Sequence, residues 1–447
     1  MIRPLLQVTA AVGALALVPV TTGAMAAVDT SSYRELDVFM DIYNRVKADY
    51  VEKVDDKTLI KGAIDGMLAS LDPHSSFADD LEFDNMRLQT DGNYGGLGLS
   101  VTMEDGAVKV ITATEDTPAW RAGIKPGDYI THLDGKLIYG GTLDEAISQM
   151  RGPPGTKITV RIVRPGRDKP IDLDITRATI IQKAVKWEVK DGVGVLNINT
   201  FSANTAPEMR AGIAAIEKQL GGKPRGYVID LRGNGGGLLD QAIQVSDAFL
   251  SHGEIVSQRG REKSDIERWY AKADDLARGL PLVVLVDAGT ASASEIVAGA
   301  LQDHHRALVL GEKTFGKGSV QTLLQLGPRS LLRLTTARYY TPSGRSVQEG
   351  GIQPDLLVPQ ISDPDYKSRP VFREADLRRH LINEIKVDNS ILEEDTKTDP
   401  RFAATPEELK KKGIDDFQLH YALQTIARTA AAPARVADGA AGKRGGR

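Results

Sequence analysis

Cysteine is absent from the 447-residue chain. Its absence excludes disulfides, thiol catalysis and zinc–thiolate sites, and it removes the attachment point of a lipid-modified N-terminus. Histidine is scarce, with 7 residues. His304 and His305 are sequence neighbours that point to different sides of a helix, whereas a metal pair on one face needs i,i+4 spacing. The acidic run at 393–399 lacks the glycine and ligand spacing of a calcium loop and reads as solvated surface. No metal and no cofactor is expected. Excess charge is small, a formal net −4 from 56 basic and 60 acidic residues. The two signs are mixed along the chain without a basic stripe, which argues against a nucleic-acid interface. No internal repeat is evident.

Long apolar runs are missing except at the N-terminus. There Arg3 precedes an apolar stretch from Leu5 to Val20 and then Ala24-Met25-Ala26. This reads as a signal peptide over 1–26, cut after Ala26, because the apolar stretch is short for a membrane span and is interrupted by Gln7, Thr9 and Pro19. The expected compartment is periplasmic, with secretion as the variant. Residues 27–91 then repeat apolar side chains at three and four and read as a helical segment. From 92 to 176 the pattern changes to short strands separated by turns such as Asp105-Gly106 and Asp134-Gly135, with one helix around Leu143. Residues 177–360 read as an α/β body, and 361–430 as a charged, largely helical segment. The remainder, 431–447, is too poor in apolar residues to pack and reads as disordered.

The chemistry concentrates in the α/β body. The aliphatic run Leu282–Val286 has the look of a strand buried on both faces. The helical pattern that follows places Ser292 at a strand-to-helix turn, where its hydroxyl and the Ala293 N–H converge at the end of the sheet. Ser292-x-x-Glu295 also fits a capping box, and on the motif alone a helix start is the better reading. Upstream, a second buried strand ends at Asp230 in a glycine cluster, Gly233 to Gly237. Its spacing matches neither phosphate-binding loop motif, and glycines there allow backbone amides to approach an anion. Downstream, Lys317 lies between Gly316 and Gly318, and Gln321 is spaced to accept from its amine. A lysine serves as a base only if burial keeps it neutral near pH 7.

These stretches resemble the carboxy-terminal processing proteases, also called tail-specific proteases. The resemblance rests on DPHSSF at 72–77, YGGLGLSV at 94–101, DLRGNGGG at 230–237, the Ser292 and Lys317 segments, and YYTPSGRSVQEGGIQPD at 339–355. It implies a serine endopeptidase with a Ser–Lys dyad: Ser292 as nucleophile, Lys317 as general base and Gln321 as the residue that orients the lysine. It also implies an oxyanion hole from Ala293 with Gly235 or Gly236. His74 is implied to be structural. The 92–176 region resembles a PDZ domain of the bacterial protease type, whose Gly95-Gly96-Leu97-Gly98-Leu99 segment would capture a C-terminal carboxylate, with Ala146 and Ile147 as candidates for the side-chain pocket.

The fold class expected is multidomain α/β: a serine-protease body, an inserted small β-rich PDZ domain, and helical N- and C-terminal segments. Expected partners are protein or peptide substrates met through their C-termini and, from the family, a second copy of the chain in a homodimer or higher homo-oligomer. An adaptor that delivers substrate is left open. Two other readings stand beside the protease. One is a non-catalytic PDZ scaffold or chaperone on a decayed body, against which the serine, the lysine and the glycine cluster all stand. The other is a different acyl-transfer hydrolase, which the PDZ-like region argues against.

Overall fold

The run Leu282–Val286 is a buried strand with neighbours on both sides, and its side chains alternate between two cores. Val284 and Val286 pack with the helices Thr205–Leu220, Leu239–Asp247 and Ala293–Asp303. Val283 and Leu285 face the other way, onto the C-terminal helix Phe417–Ala431 through Phe417, Ala422 and Ile426. A strand covered on both faces needs apolar residues at every position, which is why this segment shows no alternation.

The computed structural model describes residues 30–79, 83, 92–104, 106–181, 183–262, 264–272, 275–385 and 399–431. The expected signal peptide, most of the 393–399 acidic run and the tail from 432 lie outside the described residues. The chain divides at Ile64–Asp65 into two units. In the first, the helix Thr30–Asp49 leads to the start of Asp56–Ala69, and Lys47 and Asp56 pair across the turn between them at 2.5 Å.

In the second unit the central sheet runs, in spatial and chain order, through Val185–Lys190, Val193–Ile198, Tyr227–Asp230, Leu282–Val286, Leu308–Gly311 and Leu356–Leu357. All neighbours are parallel except the first pair. Tyr227–Asp230 and Leu282–Val286 are adjacent and parallel, so the loops after Asp230 and after Val286 leave from the same sheet edge. Those loops hold the glycine cluster and Ser292, and in open α/β sheets ligand sites form at this edge. A second sheet supplies the lysine side: Ser319–Gly327 pairs antiparallel with the long strand Ser330–Tyr340, which also pairs with Ser76–Asp79 and Glu254–Arg259.

The small β domain has its own sheet, in the order Leu99–Glu104, Ala107–Ala113, Tyr129–Leu133, Lys157–Val163, Ile171–Thr176, and its own core around Val108, Ile130, Leu133 and Val160. The chain enters and leaves it as an antiparallel ribbon, Asn93–Gly96 on Ala178–Ile181. Arg177 locks that exit, donating to the carbonyls of Gln149, Met150 and Lys157 and to Thr156 Oγ1. Beyond Ile361 the chain runs through turns and a short 3-10 segment, Glu374–Asp376, before the helices Pro406–Lys411 and Phe417–Ala431. Among the described residues no helix is long and apolar enough to cross a membrane.

Candidate active site

Ser292 is the N-cap of the helix Ala293–Asp303 and adopts φ 57°, ψ −117°. A side chain held there costs about 1–3 kcal/mol, so the surrounding contacts must over-determine it. Asn234 supplies several of them. Its carbonyl accepts from the Ala291 N–H (3.0 Å) and the Ser294 hydroxyl (2.9 Å), its amide nitrogen donates to the Ile198 carbonyl (2.7 Å), and its Oδ1 accepts from the Gly236 N–H (2.9 Å). One residue thus ties the glycine cluster, the Ser292 turn and the neighbouring strand together.

Only half of the expected capping box involves Glu295 as the motif suggests. Its Oε2 accepts from the Ser292 N–H at 2.8 Å, but the Glu295 N–H returns to the Ser292 carbonyl, and the serine hydroxyl makes no capping bond. Glu295 itself is fully buried and reaches further than a cap needs: Oε2 also accepts from the Lys317 N–H (2.9 Å), and Oε1 accepts from the Gly316 N–H (2.8 Å) and the Thr314 hydroxyl. Burial pushes its carboxyl up to about 7 against the opposing pull of those four donors.

Ser292 and Lys317 line one cavity of about 580 Å³, together with Gly235, Ala293, Gln321 and Tyr339. Burial lowers the Lys317 amine from its ordinary value, and the positive charge of Arg333 lowers it further. Tyr339 is buried and donates its hydroxyl to the Lys317 carbonyl, which holds the lysine's backbone in place. Gln321 donates from its amide nitrogen to Ser319 Oγ (3.0 Å) and Thr335 Oγ1 (3.2 Å), and makes no bond to the lysine amine in this state. Thr335 in turn donates to Asp72 Oδ1 (3.1 Å), so the DPHSSF turn braces the strand beside Gln321. His74 pairs with the buried Glu374 at 2.9 Å.

The two oxyanion candidates in the glycine cluster differ. The Gly236 N–H is taken by Asn234, whereas Gly235 lines the cavity. Gly236 instead makes room for the Ser292 turn. At its φ of 100°, a Cβ would lie 2.8 Å from both the Ala291 carbonyl and Ser292 Cβ and 3.0 Å from the Ala293 nitrogen. Gly236→Ala is expected to push the Ser292 turn aside and lower kcat by about tenfold or more with the fold retained, measured by steady-state kinetics beside thermal unfolding.

In the small domain, Gly95 and Gly96 lie in the entry ribbon, Leu97 is buried, and the edge strand begins at Leu99 rather than at Leu97. The reason is Gly98, whose φ of 78° turns the chain; a Cβ there would sit 2.3 Å from Thr117 Cβ. Leu99–Glu104 has a free edge, since it ends the order of its sheet. Ala146 is buried in the domain core and Ile147 packs half-buried against it. Among the described residues no group of three or more His, Asp or Glu stands close enough to hold a metal ion.

Residues 192–358 match peptidase family S41, residues 109–164 a PDZ domain, and residues 19–81 the N-terminal domain of the activating protease CtpB. The carboxy-terminal-processing protease of Bartonella bacilliformis is 51% identical over 355 residues, 79% of this chain and 82% of that protein. The chain belongs to the carboxy-terminal processing protease family. A second member, CtpA of Bacillus subtilis, is 37% identical over 344 residues, 76% of this chain and 72% of that one. Among solved structures the photosystem II D1 C-terminal processing protease is 30% identical, with a TM-score of 0.43 over 73% of this chain and 88% of that chain. As a carboxy-terminal processing protease, the chain is a serine-type peptidase with a PDZ domain beside its α/β body, the family that its sequence motifs resemble. Asp72, Asn234 and Tyr339 stand inside the quoted motifs without being singled out there, and Thr335 lies outside all of them. Asn234 stands inside DLRGNGGG, where the glycines are the conspicuous residues.

Proposed function

We propose that this protease is an endopeptidase that recognises the C-terminal region of exported proteins and hydrolyses their peptide bonds through an acyl-enzyme formed on Ser292. The observation that carries the reading is the single cavity that Ser292 and the half-buried Lys317 both line. Ser292 Oγ attacks the scissile carbonyl as Lys317 Nζ takes its proton. The amides of Ala293 and Gly235 receive the oxyanion, and the lysine returns the proton to the departing amine. Water then attacks the acyl ester, with Lys317 again as base. Gln321 turns its amide oxygen toward the lysine when substrate closes the site, since catalytic contacts often tighten only in the complex. Comparing the intact enzyme with Ser292→Ala on an extracytoplasmic lysate, and mapping new termini by mass spectrometry, tests the assignment: new termini made equally by both proteins overturn it.

The PDZ domain is assigned to tail capture. The free edge of Leu99–Glu104 can take an extended peptide as an added strand, and the Gly98 turn before it directs amides at the terminal carboxylate. Amidating the C-terminus of a tagged protein substrate is expected to lower its turnover by about tenfold, while an unstructured casein-like substrate is affected less. Equal turnover of amidated and free-acid forms removes the tail-binding claim. The same reading places the protein in the periplasm, or outside the cell, after removal of residues 1–26. It also assigns the exposed Leu36, Phe39 and Ile42 of the N-terminal helix to contact with a second copy of the chain. An adaptor would act at the level of substrate delivery rather than chemistry.

A further inference from the structure

The catalytic cavity holds a second cation besides the lysine. Arg333 lines it, on the long strand Ser330–Tyr340, at the position paired with Leu323 of the strand that follows Lys317. The side chain is half-buried. Its Nε donates to the His74 carbonyl at 3.0 Å, which anchors the guanidinium to the DPHSSF turn.

Among the described residues no acid pairs with it. Asp72 is the nearest candidate, but its two oxygens already accept from the His74 and Ser75 amides, the Ser75 hydroxyl and the Thr335 hydroxyl. Glu374 is occupied by His74 and Gln348. Asp240, the carboxylate that lines the same cavity, accepts from Gln241 and makes no pair with Arg333. Among the described residues the two terminal nitrogens of Arg333 have no protein partner.

A guanidinium so placed is only partly hydrated and gains from an anionic partner. Burial disfavours its charge, and Lys317, whenever protonated, repels it. A planar fork tethered at Nε leaves its Nη1 and Nη2 donors pre-aligned for a bidentate carboxylate. The peptide lying in this cavity is the ligand that can bring one.

We propose that Arg333 is a carboxylate-binding subsite of the catalytic cavity, which pairs with the C-terminal carboxylate or an acidic side chain of the bound peptide and so sets where the chain is cut. The proposal rests on the Ser292–Lys317 reading for the direction of the chemistry, while its binding arm does not. Pairing with the substrate would also neutralise the guanidinium at the moment the peptide seals the cavity, so the carboxylate decides which peptides fill the site productively.

The test uses the full-length enzyme and short peptides in two matched pairs: free acid against C-terminal amide, and internal Asp against internal Asn near the scissile bond. The quantity measured is the ratio of kcat/KM within each pair, for the wild type, Arg333→Gln and Arg333→Lys. A ratio cancels any common effect of the substitution on the lysine's ionisation. The wild type is expected to favour the carboxylate member of at least one pair by about tenfold to a hundredfold, the scale of a charge-assisted bidentate contact. Arg333→Gln should bring that ratio near one, mainly through KM, and Arg333→Lys should restore part of it. Loss of the acid–amide preference identifies the terminal carboxylate; loss of the Asp–Asn preference identifies the side chain, which the PDZ domain does not read.

Binding of the same labelled peptides to Ser292→Ala, with and without Arg333→Gln, supplies a readout independent of turnover. If Ser292→Ala remains active, the dyad fails and the binding arm still decides the subsite. A folded Arg333→Gln enzyme with wild-type ratios in both pairs, and unchanged binding in the Ser292→Ala background, overturns the proposal.

Discussion

Lys317→Arg is expected to abolish turnover, a loss of about 10⁴-fold or more in kcat, although it keeps the positive charge and most of the side-chain volume. Removing one member of a nucleophile–base pair costs this much because the members act as a unit. The reason arginine fails is protonation: a guanidinium stays charged at any working pH and cannot take the Ser292 proton, whereas burial and the Arg333 charge already lower the lysine amine toward neutrality. Lys317→Ala and Ser292→Ala should fall to the same residual rate. Gln321→Ala should cost less, about tenfold to a hundredfold, since it loosens the lysine without removing the base. For the native enzyme, log kcat/KM should rise with pH as the amine deprotonates. Single His→Gln changes at each of the 7 histidines should leave a measurable rate, and His74 is the informative case because its carbonyl anchors Arg333, which lines the cavity. A folded Lys317→Arg enzyme with near-normal turnover, or a folded single-histidine variant without any, would refute the lysine-base assignment and reopen a histidine mechanism.

How far the sequence carries this picture depends on whether an interaction is local. The strands Tyr227–Asp230 and Leu282–Val286 are legible because burial on both faces demands an unbroken aliphatic run. The strand-to-helix turn at Ser292 follows from where that run stops. By contrast, Gly95 and Gly96 read as loop. They are strand because Ala178–Ile181, at the far end of the inserted domain, supplies their hydrogen bonds. Sequence pattern has no access to that pairing.

The same distinction runs through the site. Ser292, Lys317 and the glycine cluster stand out because each sits in an unusual local setting. Asp72, Thr335 and Gln321 form one network across three segments, and nothing near Asp72 in the chain foretells its contact with Thr335. Arg333 is a plain strand residue in the sequence, and becomes notable only when the cavity forms and leaves its terminal nitrogens without partners among the described residues. Glu295 is the sharpest instance: a capping box describes its bond to Ser292 correctly and conceals its other three.

Glu295→Gln is expected to lower kcat/KM by about a hundredfold or more while the protein stays folded, and to change the shape of the acid limb. The two carboxylate oxygens face four donors and no acceptor. A glutamine must turn its NH₂ toward one oxygen's partners, so it confronts either the Ser292 and Lys317 amides or the Gly316 amide and the Thr314 hydroxyl. The Thr314 hydroxyl has limited freedom to turn, because it already accepts from the Ile352 N–H at 2.7 Å. Each buried donor left unmatched costs about 1–3 kcal/mol, and every tenfold in rate is about 1.4 kcal/mol. Since the clashing groups are the backbones of Ser292 and Lys317, the proposed nucleophile and base, the loss is expected in their alignment rather than in global stability. The ionisation adds a second signature. With the Glu295 carboxyl pushed up to about 7 by burial, protonation as pH falls through that value puts a hydrogen where an amide now donates. Activity then drops with Glu295 protonation as well as with Lys317 protonation, and the wild-type acid limb should be steeper than a single ionisation. Glu295→Gln removes one of the two, so its residual activity should follow a slope of about one per pH unit, set by the lysine. A purely structural role would lower the rate and leave the slope unchanged. Near-wild-type kcat/KM with an unaltered limb would show that the carboxylate does not hold the dyad in register.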